Sequence, residues 1–324
     1  MNQCFLWIRR LVPVLLLAVA GAASAQGYPN RPVKIIVPFA AGSGSDVYAR
    51  LIAEDWRTEM NQSFLIDNKA GGSAVIGTLQ AAKSPPDGYT LLIATNTGHS
   101  ANSALFKKLP YDPVADFTGV GRVLNMPYVL VVPKASPLNS VAALIEKARA
   151  KPNSMNYAFG NSSGQVLSAE FSRQAKIATT AVAYKSMPPA MTDLIGGQVD
   201  YLFSDVGSAL PFLKAGTIKA LGFSLLTRAS QLPDVPAIAE TPGMAGFELT
   251  SWVGLVGPAG MPAEVVEKLN AQLRKTLAKP EIRDRLVAMG AEVTPSSPAQ
   301  MDQYVKEQLA SWGTKIRNAG IEPQ

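Results

Sequence analysis

The chain alternates short runs of apolar residues with longer segments that are apolar on one side only. Val33–Pro38 (VKIIVP) and Tyr89–Ala94 (YTLLIA) are almost continuously apolar, which is typical of strands buried on both faces. Ser45–Trp56, which follows the first run, repeats apolar residues at helical spacing. Strands that alternate with amphipathic helices predict a parallel sheet, and therefore an α/β fold.

The same rhythm continues to the C-terminus. The other predicted strands are Phe64–Ile66, Leu124–Val132, Asn156–Phe159, Ala181–Tyr184, Val199–Phe203, Ala220–Ser224 and Phe247–Leu255. The other predicted helices are Ala74–Lys83, Val141–Ala150, Val166–Gln174, Ala190–Ile195, Leu210–Lys214, Glu264–Ala278, Glu281–Met289 and Ala299–Ala319. Ser100–Leu105 predicts a turn or the start of a helix.

Two of the extended passages, Leu124–Val132 and Phe247–Leu255, lie on either side of a second βα series. We therefore expect two α/β lobes joined by two crossing strands. Residues 26–127 and 249–324 would form a discontinuous first lobe, and residues 128–248 would form the second. The last three predicted helices would pack against the first lobe.

The first 25 residues have the pattern of a secretory signal peptide. Arg9 and Arg10 precede the apolar stretch Leu11–Ala20, and Ala23-Ser24-Ala25 fits a signal-peptidase site. The apolar stretch is shorter than a membrane-spanning helix, which needs about 18 residues or more. We expect cleavage before Gln26 and a soluble periplasmic protein, with an N-terminal membrane anchor as the alternative.

Cleavage would change the charge and the chemistry that the chain can offer. It removes two arginines and the only cysteine, Cys4, and lowers the formal net charge from +6 to +4. Without cysteine, the mature chain would have no disulfide, zinc–thiolate site or cysteine nucleophile. The remaining positive charge forms no basic run or arginine-rich helix, so we expect attraction of small anions and no nucleic-acid partner.

Four predicted strand-to-helix junctions share a small, Gly- and Ser-rich composition with almost no charge. They are Phe39–Asp46 (FAAGSGSD), Asn68–Ala74 (NKAGGSA), Thr95–Ser100 (TNTGHS) and Gly160–Gln165 (GNSSGQ). Ligands of such sheets bind beyond the carboxyl ends of the strands, where free N–H groups at helix starts attract anions. Together the loops indicate a carboxylate site, although turn formation and helix capping explain any one of them.

One of these loops also matches an enzymatic motif. Gly160-Asn161-Ser162-Ser163-Gly164 has the Gly-x-Ser-x-Gly spacing of a nucleophile elbow. His99, the only histidine, precedes Ser162, whereas the elbow family places its histidine after the serine. This order argues against a nucleophile elbow. A secreted serine hydrolase using Ser162 is kept as the enzymatic alternative to a binding protein. Otherwise we expect His99 to be a loop residue near the cleft or a packed neutral side chain.

Two aspartates stand at predicted helix starts. Asp46 could cap the first helix or bind the ligand, and we expect the cap, because a carboxylate beside an anionic ligand would repel it. Asp205 follows the strand run Tyr201–Ser204. It could face the cleft and accept a hydrogen bond from a ligand, or cap the helix that leads to Leu210.

Nucleotide and metal motifs are incomplete. Gly72–Thr78 has the glycine spacing of a P-loop without its lysine, and Gly42-Ser43-Gly44 lacks the third glycine of a dinucleotide loop. One histidine and no Asp-rich calcium loop leave only scattered carboxylates as metal ligands. We therefore expect no cofactor and no metal.

Several strings, in this order along the chain, resemble the Bug family, the TctC-like periplasmic solute receptors of tripartite tricarboxylate transporters. They are YPNRPVKIIVPFAAGSGSDVYAR (Tyr28–Arg50), NKAGGSAVIGT (Asn68–Thr78), PPDGYTLLIAT (Pro85–Thr95), LPYDPVADF (Leu109–Phe117), YKSMPPAMTDLIGGQVDYLFSD (Tyr184–Asp205), SWVGLVGPAGMP (Ser251–Pro262) and VVEKLN (Val265–Asn270). The resemblance runs from Tyr28 to the C-terminus. It implies a two-lobed periplasmic-binding-protein fold, type II-like, that closes over one ligand.

The resemblance also implies a site. A carboxylate would be held in the cleft largely by backbone N–H groups and water. The implied first-lobe contacts are Phe39, Ala40, Ala41, Gly42, Ser43, Ser73, Thr95, Asn96, Thr97 and His99. The implied second-lobe contacts are Asn161, Ser162, Ser163, Tyr184 and Asp205. Asp205 matches the position that tunes ligand choice in amino-acid binders of the family.

The resemblance implies a monomeric receptor that makes and breaks no bond and delivers its ligand to membrane transporter subunits. The ligand class stays open among di- and tricarboxylates, amino acids and aromatic acids. A receptor that feeds a signalling system would use the same fold and site, so sensing is the alternative to transport.

Overall fold

Ten strands and ten α-helices alternate along residues 27–229 and 233–323, the part of the chain that the computed structural model describes. The strands are β1 Val33–Val37, β2 Phe64–Asn68, β3 Thr90–Thr95, β4 Phe117–Pro133, β5 Asn156–Phe159, β6 Thr180–Ala183, β7 Tyr201–Asp205, β8 Ile218–Phe223, β9 Thr250–Pro258 and β10 Glu292–Val293. The α-helices are α1 Gly44–Glu59, α2 Val75–Ala82, α3 Asn102–Leu105, α4 Val141–Ala150, α5 Ser162–Ala175, α6 Met187–Ile195, α7 Val206–Lys214, α8 Ala263–Ala278, α9 Pro280–Ala288 and α10 Pro298–Asn318. A π-helical turn, Thr97–Ala101, leads into α3.

The strands form two mixed sheets. The first has the order β2-β1-β3-β9-β4-β10, with β1, β2 and β3 parallel and β9 antiparallel to β3. The second has the order β8-β4-β7-β5-β6, with β5, β6 and β7 parallel. Since parallel strands end at one edge of a sheet, each sheet gathers its strand-to-helix loops on one side.

Strand β4 belongs to both sheets and joins the two lobes. Residues Phe117–Pro127 pair with β9, whereas Tyr128–Pro133 pair with β7 and β8. This change of partner after Pro127, together with the start of β9 at Thr250, supports lobe limits at residues 127/128 and 248/249, which remain a proposal.

Both faces of each sheet are covered by helices. In the second sheet, Leu130 and Val132 pack with α4 and α5, whereas Val129 and Val131 pack with α6 and α7. In the first sheet, α1, α8 and α9 cover one face, and α2 with the first half of α10 covers the other. The continuously apolar strands that the sequence shows follow from this layering, because neither face of the strand meets water.

Helix α10 packs on both lobes, which differs from the expectation that it packs on the first. Met301 and Val305 lie in the core of the first lobe, whereas Trp312 and Ile316 are buried in the core of the second. A helix of 21 residues is about 31 Å long, and so reaches beyond one lobe.

Three elements begin at least four residues earlier than the sequence pattern indicates. Helix α5 begins at Ser162 and not at Val166, and α7 begins at Val206 and not at Leu210. Each start is moved by a polar N-cap that the apolar periodicity does not register. Strand β4 begins at Phe117, seven residues before the predicted Leu124. The sequence pattern misses this first part because Gly119 and Gly121 interrupt the run of apolar residues, near two register shifts in the pairing with β9.

No helix within residues 27–229 and 233–323 is both long and apolar enough to cross a membrane. The predicted signal peptide, residues 1–25, lies outside the described residues.

Candidate functional site

The loop-bearing edges of the two sheets face each other across a cleft, and a small cavity lies between them. Its walls come from both lobes and from both crossing strands. The lining residues are Phe39, Ser43, Gly44, Ser45, Thr95, Thr97, Met126, Tyr128, Asn161, Met187, Asp205 and Ser251. The volume open to the centre of a water-sized sphere is about 20 Å³, which is room for about one water. The lobes are therefore close together.

Four helices begin at this cavity. Ser43 is the N-cap of α1, and its Oγ accepts a hydrogen bond from the Asp46 N–H at 3.4 Å. Asn161 caps α5 by accepting from the Gly164 N–H at 2.8 Å. Asp205 caps α7, and α6 begins at Met187, which itself lines the cavity. Because helix N-termini carry partial positive charge, their convergence makes the cavity favourable for an anion.

Asp46 does not act as the N-cap that the sequence analysis predicts, since Ser43 takes that position. The Asp46 carboxylate instead accepts hydrogen bonds from the Gly42 N–H at 2.9 Å, from Asn68 Nδ2 at 2.9 Å and from Arg50 Nε at 3.0 Å. Burial raises the pKa of Asp46, but these hydrogen bonds and the Arg50 charge outweigh burial and lower it. The carboxylate thus stays ionised and holds the Phe39–Ser43 loop in place.

Asp205 is the only charged residue among those that line the cavity in the described chain. It is 5% exposed, and its Oδ1 accepts a hydrogen bond from the Ser208 N–H at 2.8 Å. Burial raises the pKa of the Asp205 carboxyl above its usual value, although the hydrogen bonds from Ser208 oppose the shift. Of the two uses that the sequence left open, Asp205 makes the cap on α7, and its position on the cavity wall leaves acceptance of a hydrogen bond from a ligand as a proposal.

The starts of α1 and α7 touch across the cleft. The Gly44 N–H donates to Ser208 Oγ at 2.9 Å, and a Cβ at Gly44 would overlap the Asp205 carboxylate. A Cβ at Gly207 would lie 2.9 Å from the Tyr48 hydroxyl. Only glycine fits at these two positions, so the closed arrangement of the lobes depends on both.

Polar side chains below the cavity also connect the lobes. Asn96 Nδ2 donates to Ser163 Oγ at 2.8 Å, and Ser162 Oγ donates to Asn102 Oδ1 at 2.7 Å. Ser163 also lies 3.4 Å from Ser251 Oγ. These side chains are almost fully buried, so their hydrogen bonds replace water that would solvate them in separated lobes.

The sequence-predicted contacts fall into two groups. Those that line the cavity are Phe39, Ser43, Thr95, Thr97, Asn161 and Asp205. Those that do not line it are Ala40, Ala41, Gly42, Ser73, Asn96, His99, Ser162, Ser163 and Tyr184. Of the second group, Asn96, Ser162 and Ser163 make the hydrogen bonds between the lobes. Tyr184 is turned away, and its hydroxyl donates to Asp193 at 2.6 Å.

His99 lies on the π-helical turn, and its ring packs edge-on against Phe117 and Trp252. It is 1% exposed, and burial lowers its pKa to about 3, so the imidazole is neutral. Neither ring nitrogen has a hydrogen-bond partner in the described residues, so His99 does not accept the Ser162 proton. The serine–histidine pair that a hydrolase needs is not formed here.

Six cavity residues are absent from the individual contacts predicted from the sequence, although two of them, Gly44 and Ser45, belong to the predicted Phe39–Asp46 loop. The other four are Met126, Tyr128, Met187 and Ser251. Met126, Tyr128 and Ser251 lie on the crossing strands, and Tyr128 donates to Asn161 Oδ1 at 3.3 Å. These three residues could have been predicted from the sequence, because the two predicted crossing strands had to pass the base of any cleft between the lobes.

The chain is similar to known proteins over almost its whole length. The profile of the tripartite tricarboxylate transporter family receptor matches residues 48–321. Protein BugT of Bordetella pertussis is 31% identical over 321 residues, covering 97% of this chain and 98% of BugT.

Two solved structures share the fold closely. The structure of R. palustris Rpa4515 with adipate has a TM-score of 0.90 and 35% identity, covering 92% of this chain and 100% of that chain. The structure of MatC from Rhodopseudomonas palustris with bound malate has a TM-score of 0.83 and 31% identity, covering 89% of this chain and 100% of that chain. The two α/β lobes and the family match agree, and the chain belongs to the tripartite tricarboxylate transporter receptor family of solute-binding proteins.

Proposed function

We propose that the protein captures a small dicarboxylate in the cleft between its lobes and delivers it to the membrane subunits of a tripartite tricarboxylate-type transporter. The observation that carries the proposal is the meeting of four helix N-termini at one cavity. None of the lining side chains in the described chain is cationic, so backbone N–H groups would neutralise the ligand charge.

The apolar part of the cavity favours a carbon chain between two carboxylates. Phe39, Met126 and Met187 lie among the lining residues beside serine, threonine and asparagine donors. An aliphatic diacid would place its methylene groups on the apolar side chains and its carboxylates at the helix starts. The adipate and malate of the two structural relatives are ligands of this chemical class.

The proposed mechanism is a population shift between separated and closed lobes. The cavity has room for about one water and therefore not for a diacid, so the lobes must part for a diacid to enter. Contacts made to both lobes at once then favour closure, because they exist only in the closed state. We propose that the closed, liganded form docks on the transporter in the periplasm.

We also propose that the protein makes and breaks no covalent bond. Ser162 is directed to Asn102, and the His99 nitrogens have no partner among the described residues. An esterase assay on a chromogenic ester panel checks this point, and turnover that Ser162→Ala abolishes would contradict it.

A thermal-shift panel of mono-, di- and tricarboxylates, amino acids and neutral sugars tests the proposed function. A dicarboxylate at 100 times its Kd should add about 2.7 kcal/mol to the free energy of unfolding. Ser43→Pro removes the N–H that donates to the Ala40 carbonyl at 3.2 Å and the Oγ that caps α1, so it should distort the Phe39–Ser43 loop and weaken this stabilisation. A neutral sugar that stabilises the protein when no carboxylate does would overturn the proposal.

A further inference from the structure

A second pocket lies on the first lobe, between the sheet and helix α10, and shares no lining residue with the cleft cavity. Its lining residues are His99, Pro113, Val114, Phe117, Gly119, Val256, Asp302, Val305 and Lys306. Its volume is about 210 Å³, which is room for several waters. Val256 pairs with Leu92, three residues before the cleft residue Thr95, so this pocket is about 10 Å from the cleft along the strand.

The inner wall of the pocket carries a polar group without a protein partner. His99 is 1% exposed, and both of its ring nitrogens lack hydrogen-bond partners among the described residues. A neutral imidazole offers one N–H donor and one nitrogen acceptor. Buried polar groups are normally satisfied, so the ring is suited to a guest that both donates and accepts.

The mouth of the pocket carries one negative and one positive charge. Asp302 and Lys306 are four residues apart on α10, which places their Cβ atoms about 5–6 Å apart on one helix face. Neither side chain forms an ion pair within 4 Å in the part of the chain that the structure describes. The Asp302 carboxylate is oriented by the Gly119 N–H, which donates to Oδ1 at 2.9 Å.

We propose that this pocket binds a small zwitterion of the α-amino-acid type, independently of the cleft. Its ammonium group would lie at Asp302, its carboxylate at Lys306 and a short polar side chain at His99. Asp302 and Lys306 present opposite charges on one face of α10, so both can reach a molecule that carries both charges on one carbon. Val114, Phe117 and Val305 would cover its carbon atoms.

The single histidine gives this proposal a site-specific probe. Purified protein labelled at histidine yields one imidazole signal by NMR, because His99 is the only histidine in the sequence. L-Serine is the test ligand. Ethanolamine lacks its carboxylate and 3-hydroxypropionate lacks its ammonium group, so each analogue removes one of the two charges.

Serine should shift the His99 signal in a saturable way, and both analogues should bind at least about tenfold more weakly, which corresponds to ~1.4 kcal/mol. Asp302→Asn and Lys306→Gln should each weaken serine binding by a similar factor. Glu307→Gln changes an exposed charge on the same helix outside this pocket, and should leave the affinity unchanged.

Three results would overturn the proposal. The first is no saturable His99 shift with serine at tens of millimolar. The second is an equal shift with ethanolamine or 3-hydroxypropionate. The third is an affinity for serine that neither Asp302→Asn nor Lys306→Gln alters, which would place the bound serine in the cleft.

Discussion

Asp205 is the residue at which the proposed ligand and the protein are in electrostatic conflict. Its carboxylate lies on the wall of a cavity that four helix starts make favourable for anions. Burial raises the pKa of Asp205, which lessens the conflict because the protonated acid carries no charge. Ligand affinity should therefore depend on pH through this residue.

We predict that affinity for a dicarboxylate falls as the pH rises through the raised pKa of Asp205. Above that pKa the ionised side chain repels the ligand, and below it the repulsion is absent. Asp205→Asn keeps the cap on α7 and should bind roughly tenfold more tightly at pH 8, with little pH dependence. Calorimetric titration of both proteins checks this, and weaker binding by the asparagine variant would show that Asp205 accepts a hydrogen bond from the ligand.

Burial of His99, the only histidine in the sequence, should make folding stability depend on pH. Its pKa is about 3 in the folded chain and about 6.5 when exposed, so the unfolded state binds the proton between these values. Stability should therefore fall as the pH drops below 6.5, by up to about 1.4 kcal/mol per pH unit.

We predict that His99 lowers the free energy of unfolding by about 2 kcal/mol between pH 7.5 and 5.0. The total loss over this range should therefore be about 2 kcal/mol smaller in His99→Gln than in the unchanged protein. Urea unfolding at the two pH values measures the difference. Equal pH dependence in the two proteins would mean that His99 is accessible to protons in the folded state.

At the scale of elements, closure depends on the contact between the starts of α1 and α7. Gly44→Ala would place a methyl group against the Asp205 carboxylate, so the closed lobes would be strained, whereas separated lobes would not. We predict at least about tenfold weaker ligand binding and a larger radius of gyration by X-ray scattering.

Gly313→Ala is the matched control for that variant. Gly313 lies inside α10, and its added Cβ would come no closer than 3.4 Å to the Arg317 side chain. Alanine should stabilise this helix by roughly 0.5–1 kcal/mol and leave ligand affinity unchanged. If Gly44→Ala also leaves the affinity unchanged, the α1–α7 contact is not part of the liganded state.

The elements themselves follow closely from the periodicity of the sequence. Strands β1 and β3 and helices α4 and α8 lie where the pattern predicts them. The two strands belong to a sheet that helices cover on both faces, and the two helices bury their apolar side against a sheet. The first half of β4 and the π-helical turn were not predicted. Pairing with β9 holds Gly119 and Gly121 in a strand, a tertiary effect that local pattern does not contain.

The cleft was predictable in part. The Phe39–Asp46 loop and Asn161 could be selected because small polar residues at helix starts indicate anion binding. The sequence could not predict which residues of such a loop line the cavity. Asn161 lines it, whereas the neighbouring Ser162 and Ser163 do not, because α5 directs their side chains elsewhere. His99 points away from the cleft because the π-helical turn carries its ring onto Phe117.

At the scale of the whole molecule, α10 connects the lobes in addition to the two crossing strands. Trp312, in its second half, is fully buried in the core of the second lobe. We predict that Trp312→Ala lowers the free energy of unfolding by about 3–5 kcal/mol, measured by urea unfolding. Gln303→Ala, at an exposed position of the same helix, should have an effect below about 0.5 kcal/mol. Comparable effects of the two variants would mean that the end of α10 is not packed on the second lobe.

Recognition of a carboxylate by the helix starts of the closing cleft is tested most directly by calorimetric titration with a charged ligand and its neutral counterpart. The dicarboxylate that stabilises the protein best and the corresponding diamide are titrated into the same protein at pH 7. We predict one-to-one binding of the dicarboxylate and at least about a hundredfold weaker binding of the diamide, because only an anion gains from the partial positive charge of four helix N-termini. Equal affinity for the two compounds would show that the helix N-termini do not recognise the charge of the ligand.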